Sequence, residues 1–252
     1  MIGVFDSGVG GLSVLREVRQ RLPDADLLYV ADRGRAPYGT RTLAEVSSIA
    51  HDVTSWLIEA GASCVVIACN TASAAALHSI RDRHPHLPVV GMEPAVKPAV
   101  QGTASGTVAV YATAATFQGA LFESVVSRFA AGVDVIERAC PEWVELVENG
   151  VVAGPEVEAA VREVVADAVE AGADRIVLAC THFSFLTPVI ERLSGIDVID
   201  PAPAVAAQTS RVAPDTASEG RTILAASGDI DEFSALARQL ADFDQPVIPF
   251  WT

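Results

Sequence analysis

One segment of this chain occurs twice, and that repetition constrains the fold more than any other feature. Glu59-Ala60-Gly61-Ala62-Ser63-Cys64-Val65-Val66-Ile67-Ala68-Cys69-Asn70-Thr71-Ala72-Ser73 aligns without a gap with Glu170-Ala171-Gly172-Ala173-Asp174-Arg175-Ile176-Val177-Leu178-Ala179-Cys180-Thr181-His182-Phe183-Ser184, at an offset of 111 from Glu59 to Glu170. In each copy a helical pattern ends at glycine, an apolar run follows, and a cysteine stands where the run stops. Helix–glycine–strand units resemble one another in any α/β protein, which accounts for the Glu-Ala-Gly-Ala and the apolar run. It does not account for a cysteine at the same place with small polar residues after it. The segment therefore reads as a duplication. A weaker echo sets residues 2–8 beside residues 108–114, each a strand followed by a small polar turn.

The rest of the chain alternates in the same manner. Short apolar runs at 2–5, 27–30, 65–68, 89–91, 108–111, 176–179, 198–199 and 223–226 read as strands. Helical periodicity fills 12–22, 43–60, 72–83, 118–128, 155–171 and 232–241. Such alternation predicts an α/β fold with mostly parallel sheets, and strands this apolar suit sheets covered on both faces. The duplication predicts two pseudo-symmetric α/β domains, with the active site in the cleft between them at the carboxyl ends of the strands. The proline-rich stretches 93–98 and 200–203 read as crossovers. The expected division is a first domain of residues 1–97 plus 208–252, with a second, 98–207, inserted in it. Residues 213–220 read as an exposed loop.

Charge narrows the partners. The formal net charge is −15, from 17 basic and 32 acidic residues. That argues against nucleic acid or an anionic membrane, both of which need a basic footprint. No apolar run reaches the roughly 18 residues of a membrane span, and no basic-then-apolar leader opens the chain. A soluble cytoplasmic protein is expected, and a homodimer is compatible with the sequence. A carboxylate ligand would gain nothing from long-range steering here and must be held locally by N–H groups and hydroxyls.

The cysteines Cys64, Cys69, Cys140 and Cys180 form no Cys-x-x-Cys pair and have no zinc-finger spacing with His78, His84 or His86. No metal site is expected, and the thiols are either inert or reactive. Lys97, in the turn-like 93–98 stretch, is the only lysine. A pyridoxal phosphate enzyme would need it as Schiff base, a poor placement, so no cofactor is expected.

A cysteine at a strand's end is placed in a cleft, and a following helix N-terminus lowers its pKa. Two such cysteines from facing domains supply a base on one side of a substrate and an acid on the other. Inversion of a carbon stereocentre requires this. Cys69 and Cys180 are thus the candidate catalytic pair. His182, two residues after Cys180, is placed to polarise or protonate that thiol. Residues 5–12 give a glycine-rich passage from strand to helix whose N–H groups suit a substrate carboxylate. It lacks the Gly-Lys-Ser/Thr ending of a nucleotide loop. Asp6 stands where it can orient a substrate ammonium or a thiol. Residues 36–40 form a turn, which read on its own is a surface loop. Asn70, Thr71, Thr113, Thr116 and Thr181 are uncharged hydrogen-bonding groups at strand ends, suited to binding a substrate carboxylate in a site without cationic clamps.

Asp6-Ser7-Gly8-Val9-Gly10-Gly11-Leu12, Pro37-Tyr38-Gly39, Cys69-Asn70-Thr71-Ala72-Ser73, Met92-Glu93-Pro94-Ala95-Val96, Cys140-Pro141 with Val144 and Leu146-Val147-Glu148, Cys180-Thr181-His182 and a closing Ser227-Gly228 run in order along nearly the whole chain. Together they closely resemble the motifs of bacterial glutamate racemases. The resemblance implies a two-domain α/β fold, no cofactor, and supply of D-glutamate for peptidoglycan. It implies that Cys69 and Cys180 are catalytic, with Asp6 and His182 in support. Substrate binding is implied for Asp6, Ser7, Pro37, Tyr38, Gly39, Asn70, Thr71, Thr181 and His182, and lesser supporting roles for Asp32 and Glu148. Cys64 has no match in the pattern, and Cys140 lies in a motif without being a catalytic position. The chain departs from the pattern at Ala179, where glycine is usual, at Phe183-Ser184, where an aromatic and proline are usual, and at Arg33, often a threonine. Aspartate racemase, another superfamily member acting on a different carboxylate, and a non-catalytic binding protein are the alternatives. A decarboxylase of the superfamily would keep one cysteine, and both stand here.

Overall fold

The computed structural model describes residues 1–215 and 219–250. Residues 216–218, within the loop expected at 213–220, lie outside the described residues. The strands are β1 (Ile2–Asp6), β2 (Leu27–Ala31), β3 (Cys64–Ile67), β4 (Val89–Gly91), β5 (Thr107–Ala112), β6 (Asp134–Ala139), β7 (Arg175–Ala179), β8 (Asp197–Ile199), β9 (Thr222–Ala226) and β10 (Val247–Pro249). The helices are α1 (Leu12–Arg21), α2 (Leu43–Glu59), α3 (Asn70–Arg83), α4 (Val96–Gly102), α5 (Ala114–Gln118), α6 (Ala120–Phe129), α7 (Pro141–Glu148), α8 (Pro155–Glu170), α9 (Thr187–Ser194), α10 (Ala202–Val212) and α11 (Ile230–Ala241).

These build the expected two-domain α/β arrangement. One sheet has the order β10-β9-β2-β1-β3-β4 and the other β6-β5-β7-β8. Every pairing is parallel. The duplication is carried into register: Val4 of β1 faces Val66 of β3, and their counterparts Val110 of β5 and Val177 of β7 face each other in the second sheet. β1, β2 and β3 are buried along their whole length, as parallel strands covered on both faces must be. One apolar core runs through both halves, from Val4, Leu12 and Tyr29 to Tyr111, Trp143 and Phe183. Two smaller cores underlie α2 and α3, and α4 and α6. Each fully buried Leu or Phe adds ~1.5–3 kcal/mol over leaving it exposed.

Several expected boundaries shift. The 93–98 stretch turns into α4 at Val96, and 200–203 opens α10, which packs against α1. Proline is tolerated there because the first-turn N–H has no intrahelical partner. The helix expected from residue 72 starts at Asn70, which makes Cys69 its N-cap. β6 and β10, both edge strands, have no counterpart among the apolar runs.

Local signals place the site loops. At the start of α2 the Thr42 side chain accepts from Glu45 N–H at 3.3 Å, and Glu45 accepts from Thr42 N–H at 3.0 Å. This capping box fixes the chain just after Tyr38 and Gly39. Beneath Cys180, Trp143 packs edge-on against Phe183 and against Tyr111, with centroids 5.1 and 5.3 Å apart. Phe183 therefore anchors the 3-10 turn Thr181–Leu186 in the core.

Candidate active site

A cavity of about 500 Å³ opens where the carboxyl ends of β1 and β3 face those of β5 and β7. Cys69 and Cys180 both line it, one from each half of the duplication. So do Ser7, Pro37, Tyr38, Gly39, Asn70, Thr71, Thr113, Glu148, Thr181 and His182. Asp6, Asp32 and Thr116 are buried behind the wall instead. Val144 of the Cys140–Glu148 motif lines the cavity too, as do Arg41, Gln118 and Glu145, which no sequence signal marked. Glu145 follows Val144 on α7, and only the helical phase of that element would have pointed to it.

Cys69 caps α3. The Ala72 N–H donates to its Sγ at 3.4 Å, and the thiol points to Ser7 Oγ at 4.0 Å. A helix N-terminus does face the sulfur, yet the expected lowering of its pKa is reversed. Burial, at 5% exposure, pushes the thiol well above its usual range, and the field of Asp6 adds to this. The Ala72 and Ser7 contacts offset only part of it. The same residue feels the field of Cys180, so the two thiols are electrostatically in reach of each other.

Cys180 is placed differently. It precedes a 3-10 turn rather than an α-helix, and no backbone N–H caps it. Its Sγ instead lies 3.6 Å from His182 Nδ1, while His182 Nε2 lies 2.6 Å from Glu148 Oε1. Burial opposes a charge on this imidazole, but the bonds to Cys180 and Glu148 outweigh burial and hold its pKa well above the usual histidine value. Burial likewise works against the Glu148 carboxylate. His182, the Val9 N–H at 2.8 Å and Arg33 together outweigh it and keep Glu148 below its usual range. With a carboxylate on Nε2, that nitrogen carries the donated proton, and Nδ1 is free to exchange one with the sulfur.

The glycine-rich turn after β1 serves a purpose other than the one its composition suggests. Three of its N–H groups are engaged within the protein. Gly8 and Gly11 donate to Asp6 Oδ2 at 3.3 and 2.9 Å, and Val9 donates to Glu148. The glycines are needed because side chains from the other half press against them. A Cβ on Gly8 would lie 1.8 Å from Glu148 Oε1, and one on Gly10 would lie 2.4 Å from His182 Nδ1. Asp6 receives a further bond from Thr181 Oγ1 at 3.4 Å. Burial raises its pKa despite the nearby His182 and the two N–H donors.

The remaining predicted residues form two supports. Asp32 accepts from Tyr38 OH at 2.5 Å, Arg35 Nε at 2.6 Å and Ser227 Oγ at 2.9 Å, and so fixes the Tyr38 ring against the cavity. Burial, and then the Asp32 charge, push the Tyr38 phenol far above its usual range, so it remains a donor. Thr113 Oγ1 lies 2.9 Å from both Thr71 and Thr116 Oγ1, joining α3 to the turn after β5 across the cleft. Asn70 is 3% exposed and lines the cavity, yet neither end of its amide has a partner among the described residues. Burying such an amide unpaired costs about 1–3 kcal/mol, which a bound ligand would offset.

Cys64 lies inside β3, where burial raises its pKa to about 11. Cys140 is buried in the large core and is raised further by burial. Neither lines the cavity. Lys97 sits on α4 over the Phe129 ring at 5.2 Å, away from the cavity wall. No lysine is in position to form a Schiff base there. Among the described residues no cluster of His, Cys, Asp and Glu suits a metal ion, and no helix is long and apolar enough to cross a membrane.

Residues 9–209 match the Asp/Glu/Hydantoin racemase family. The chain is 47% identical over 248 residues to the glutamate racemase of Roseiflexus sp. (strain RS-1), covering 95% of this chain and 91% of that protein. Its fold superposes on glutamate racemase isoform RacE1 of Bacillus anthracis with a TM-score of 0.90 and 28% identity, covering 99% of this chain and 97% of that one. It also superposes on the Escherichia coli glutamate racemase solved with L-glutamate and the activator UDP-MurNAc-ala, with a TM-score of 0.85, 30% identity and coverage of 98% and 96%. The paired cysteines, the parallel sheets and these likenesses agree: the chain belongs to the Asp/Glu/Hydantoin racemase family, among the glutamate racemases.

Proposed function

We propose that this chain interconverts L- and D-glutamate by proton transfer between Cα and two thiols, without a cofactor. The observation that carries the reading is that two cysteines with unlike partners line one cavity, Cys69 Sγ accepting from the Ala72 N–H and Cys180 Sγ lying 3.6 Å from His182 Nδ1. Cys69 is held protonated by burial, while Cys180 lies beside an imidazole held in its charged form. In this reading one form of the enzyme has an acid, Cys69, on one side of the substrate and a base, Cys180 with His182 beside it, on the other. The Cys180 thiolate takes the Cα proton and becomes a thiol, and the electron pair passes into the substrate carboxylate. Cys69 then gives its proton to the opposite face of the planar carbon and becomes the thiolate. The reverse reaction runs from that second form.

Asn70, with its unpaired amide, is the strongest candidate to hold the substrate carboxylate as it gains charge, with Ser7, Thr71 and Thr181 beside it. Tyr38, Gly39 and Thr113 shape the other wall. Glutamate as substrate is supported by the relatives and by the L-glutamate bound to the Escherichia coli enzyme. D-glutamate for peptidoglycan is the product this reading assigns, made in the reducing cytoplasm where four free thiols persist.

The test is incubation with L- or D-glutamate, and separately aspartate, in heavy water. Optical rotation and deuterium at Cα are followed together. Inversion with deuterium uptake from both glutamate enantiomers is expected. Exchange with neither amino acid would sink the proposal, and faster turnover of aspartate would reassign the substrate.

A further inference from the structure

Arg33 reaches the Glu148–His182 pair from the other half of the molecule. It opens the 3-10 turn Arg33–Arg35 after β2, and its side chain is 14% exposed. Nε lies 3.4 Å from Glu148 Oε2. Nη2 lies 3.3 Å from Glu232 Oε1, and Nη1 lies 3.3 Å from Glu232 Oε2 and 3.5 Å from the Asp229 carbonyl. Glu232 stands in the first turn of α11, where its backbone N–H donates to the Asp229 side chain at 2.9 Å, and its carboxylate is half exposed. The guanidinium is thus clamped from behind by α11 and presents its Nε edge to Glu148.

Glu148 is consequently shared. One oxygen serves His182 and the Val9 N–H, and the other serves Arg33. We propose that Arg33 is a positioning residue for proton transfer at Cys180. By holding the second oxygen of Glu148 it aims the first at His182, and its positive charge limits how firmly the imidazole keeps the proton it exchanges with the sulfur. This rests on the two-thiol reading. The groups facing His182 are Glu148 from α7, Asp6 from β1, and Cys180 and Thr181 of its own turn. Those facing Glu148 are His182, Arg33, Asp6 and the Val9 N–H. Cys69 has no imidazole bonded to it among the described residues, so the influence of Arg33 falls on one thiol.

Enantiomers have equal free energies, so kcat/KM must stay equal in the two directions in every variant. A one-sided change must be read elsewhere. The experiment titrates His182 by NMR in histidine-labelled protein and records the pH profile of kcat/KM, for wild type, Arg33→Gln, Arg33→Lys and Glu232→Gln. Arg33→Gln is expected to raise the His182 midpoint by about 0.5 pH unit, the scale of a partly exposed ion pair. The matching limb of the profile should move with it, and kcat should fall several-fold. Arg33→Lys keeps the charge without the fork and should shift less. Glu232→Gln removes an anion behind Arg33 and should move the midpoint the opposite way, a reversal that general loosening does not produce. An unmoved His182 midpoint in Arg33→Gln, with kcat and Tm both lowered, would overturn the proposal and leave Arg33 a brace between the halves. If wild type shows no Cα exchange, the two-thiol reading fails instead, and the imidazole titration still reports on Arg33.

Discussion

Glu148 Oε1 lies 2.6 Å from His182 Nε2 and 2.8 Å from the Val9 N–H, so the last residue of α7 ties the Cys180 turn to the turn after β1. The pair sets a pH window for stability. Glu148 is held below its ordinary value of 4.5, so its contribution is present above about pH 4.5 and lost as pH falls through the lower folded value. His182 is held above 6.5, so its contribution is complete below about pH 6.5 and lost as pH rises through the higher folded value. The stability difference between wild type and Glu148→Gln should therefore be largest between about pH 4.5 and 6.5. It should amount to about 1–3 kcal/mol there, the cost of unpairing a buried polar group. Urea midpoints across pH 3–10 check this, and a difference independent of pH contradicts it.

Replacing either cysteine should stop inversion without stopping all chemistry. Cys69→Ser and Cys180→Ser are each expected to lose at least about 10³-fold in racemisation, since one proton carrier is missing on one face. Each should still wash the α-proton out of a single enantiomer, and the enantiomer should differ between the two variants. Full activity in either one rules out the two-thiol scheme.

The glycines of the turn should be intolerant for a reason of contact. Gly10→Ala would place a methyl 2.4 Å from His182 Nδ1 and 2.5 Å from Thr181 Oγ1, forcing both to move. A displacement near 1 Å at reacting groups costs about 10²-fold in rate. The expected signature is a fall in kcat of that order. Gly102→Ala, whose nearest neighbour would be 3.4 Å away, serves as the control with unchanged kinetics.

Asp6 should trade stability against activity. Burial raises its pKa, so its charged form is disfavoured in the folded protein and weakens the fold as pH rises above about 3.8. Asp6→Asn keeps an oxygen for the Gly8 and Gly11 N–H groups. It should leave Tm at neutral pH equal or higher while lowering kcat. A marked drop in Tm would show that the carboxylate is instead needed to hold the turn.

Much of this was legible in the sequence, and the failures share a cause. The duplication foretold two like halves, and the register found in the structure repeats between them, Val4 pairing with Val66 and Val110 with Val177. Residue identity alone brought both thiols, Asn70 and His182 to one place. β6 escaped notice because Asp134-Val135-Ile136-Glu137-Arg138-Ala139 is an edge strand, half exposed and charged, with no apolar run to mark it. The thiol pKa of Cys69 was misjudged because a helix start can be read locally whereas burial cannot. The partners of the glycine turn were hidden for the same reason. Its spacing says that a Cβ is absent, and the carboxylate that fills the space comes from Glu148, 139 residues from Val9.

That turn also bears on which anions can be held there. A glycine-rich passage from strand to helix is, in many folds, where phosphate lands. Here the Gly8, Val9 and Gly11 N–H groups are already saturated by Asp6 and Glu148. A phosphate group would meet those three donors already occupied. Whether those donors are open to an anion is thus decided by two side chains, Asp6 behind the cavity wall and Glu148 in it, and not by the glycines themselves.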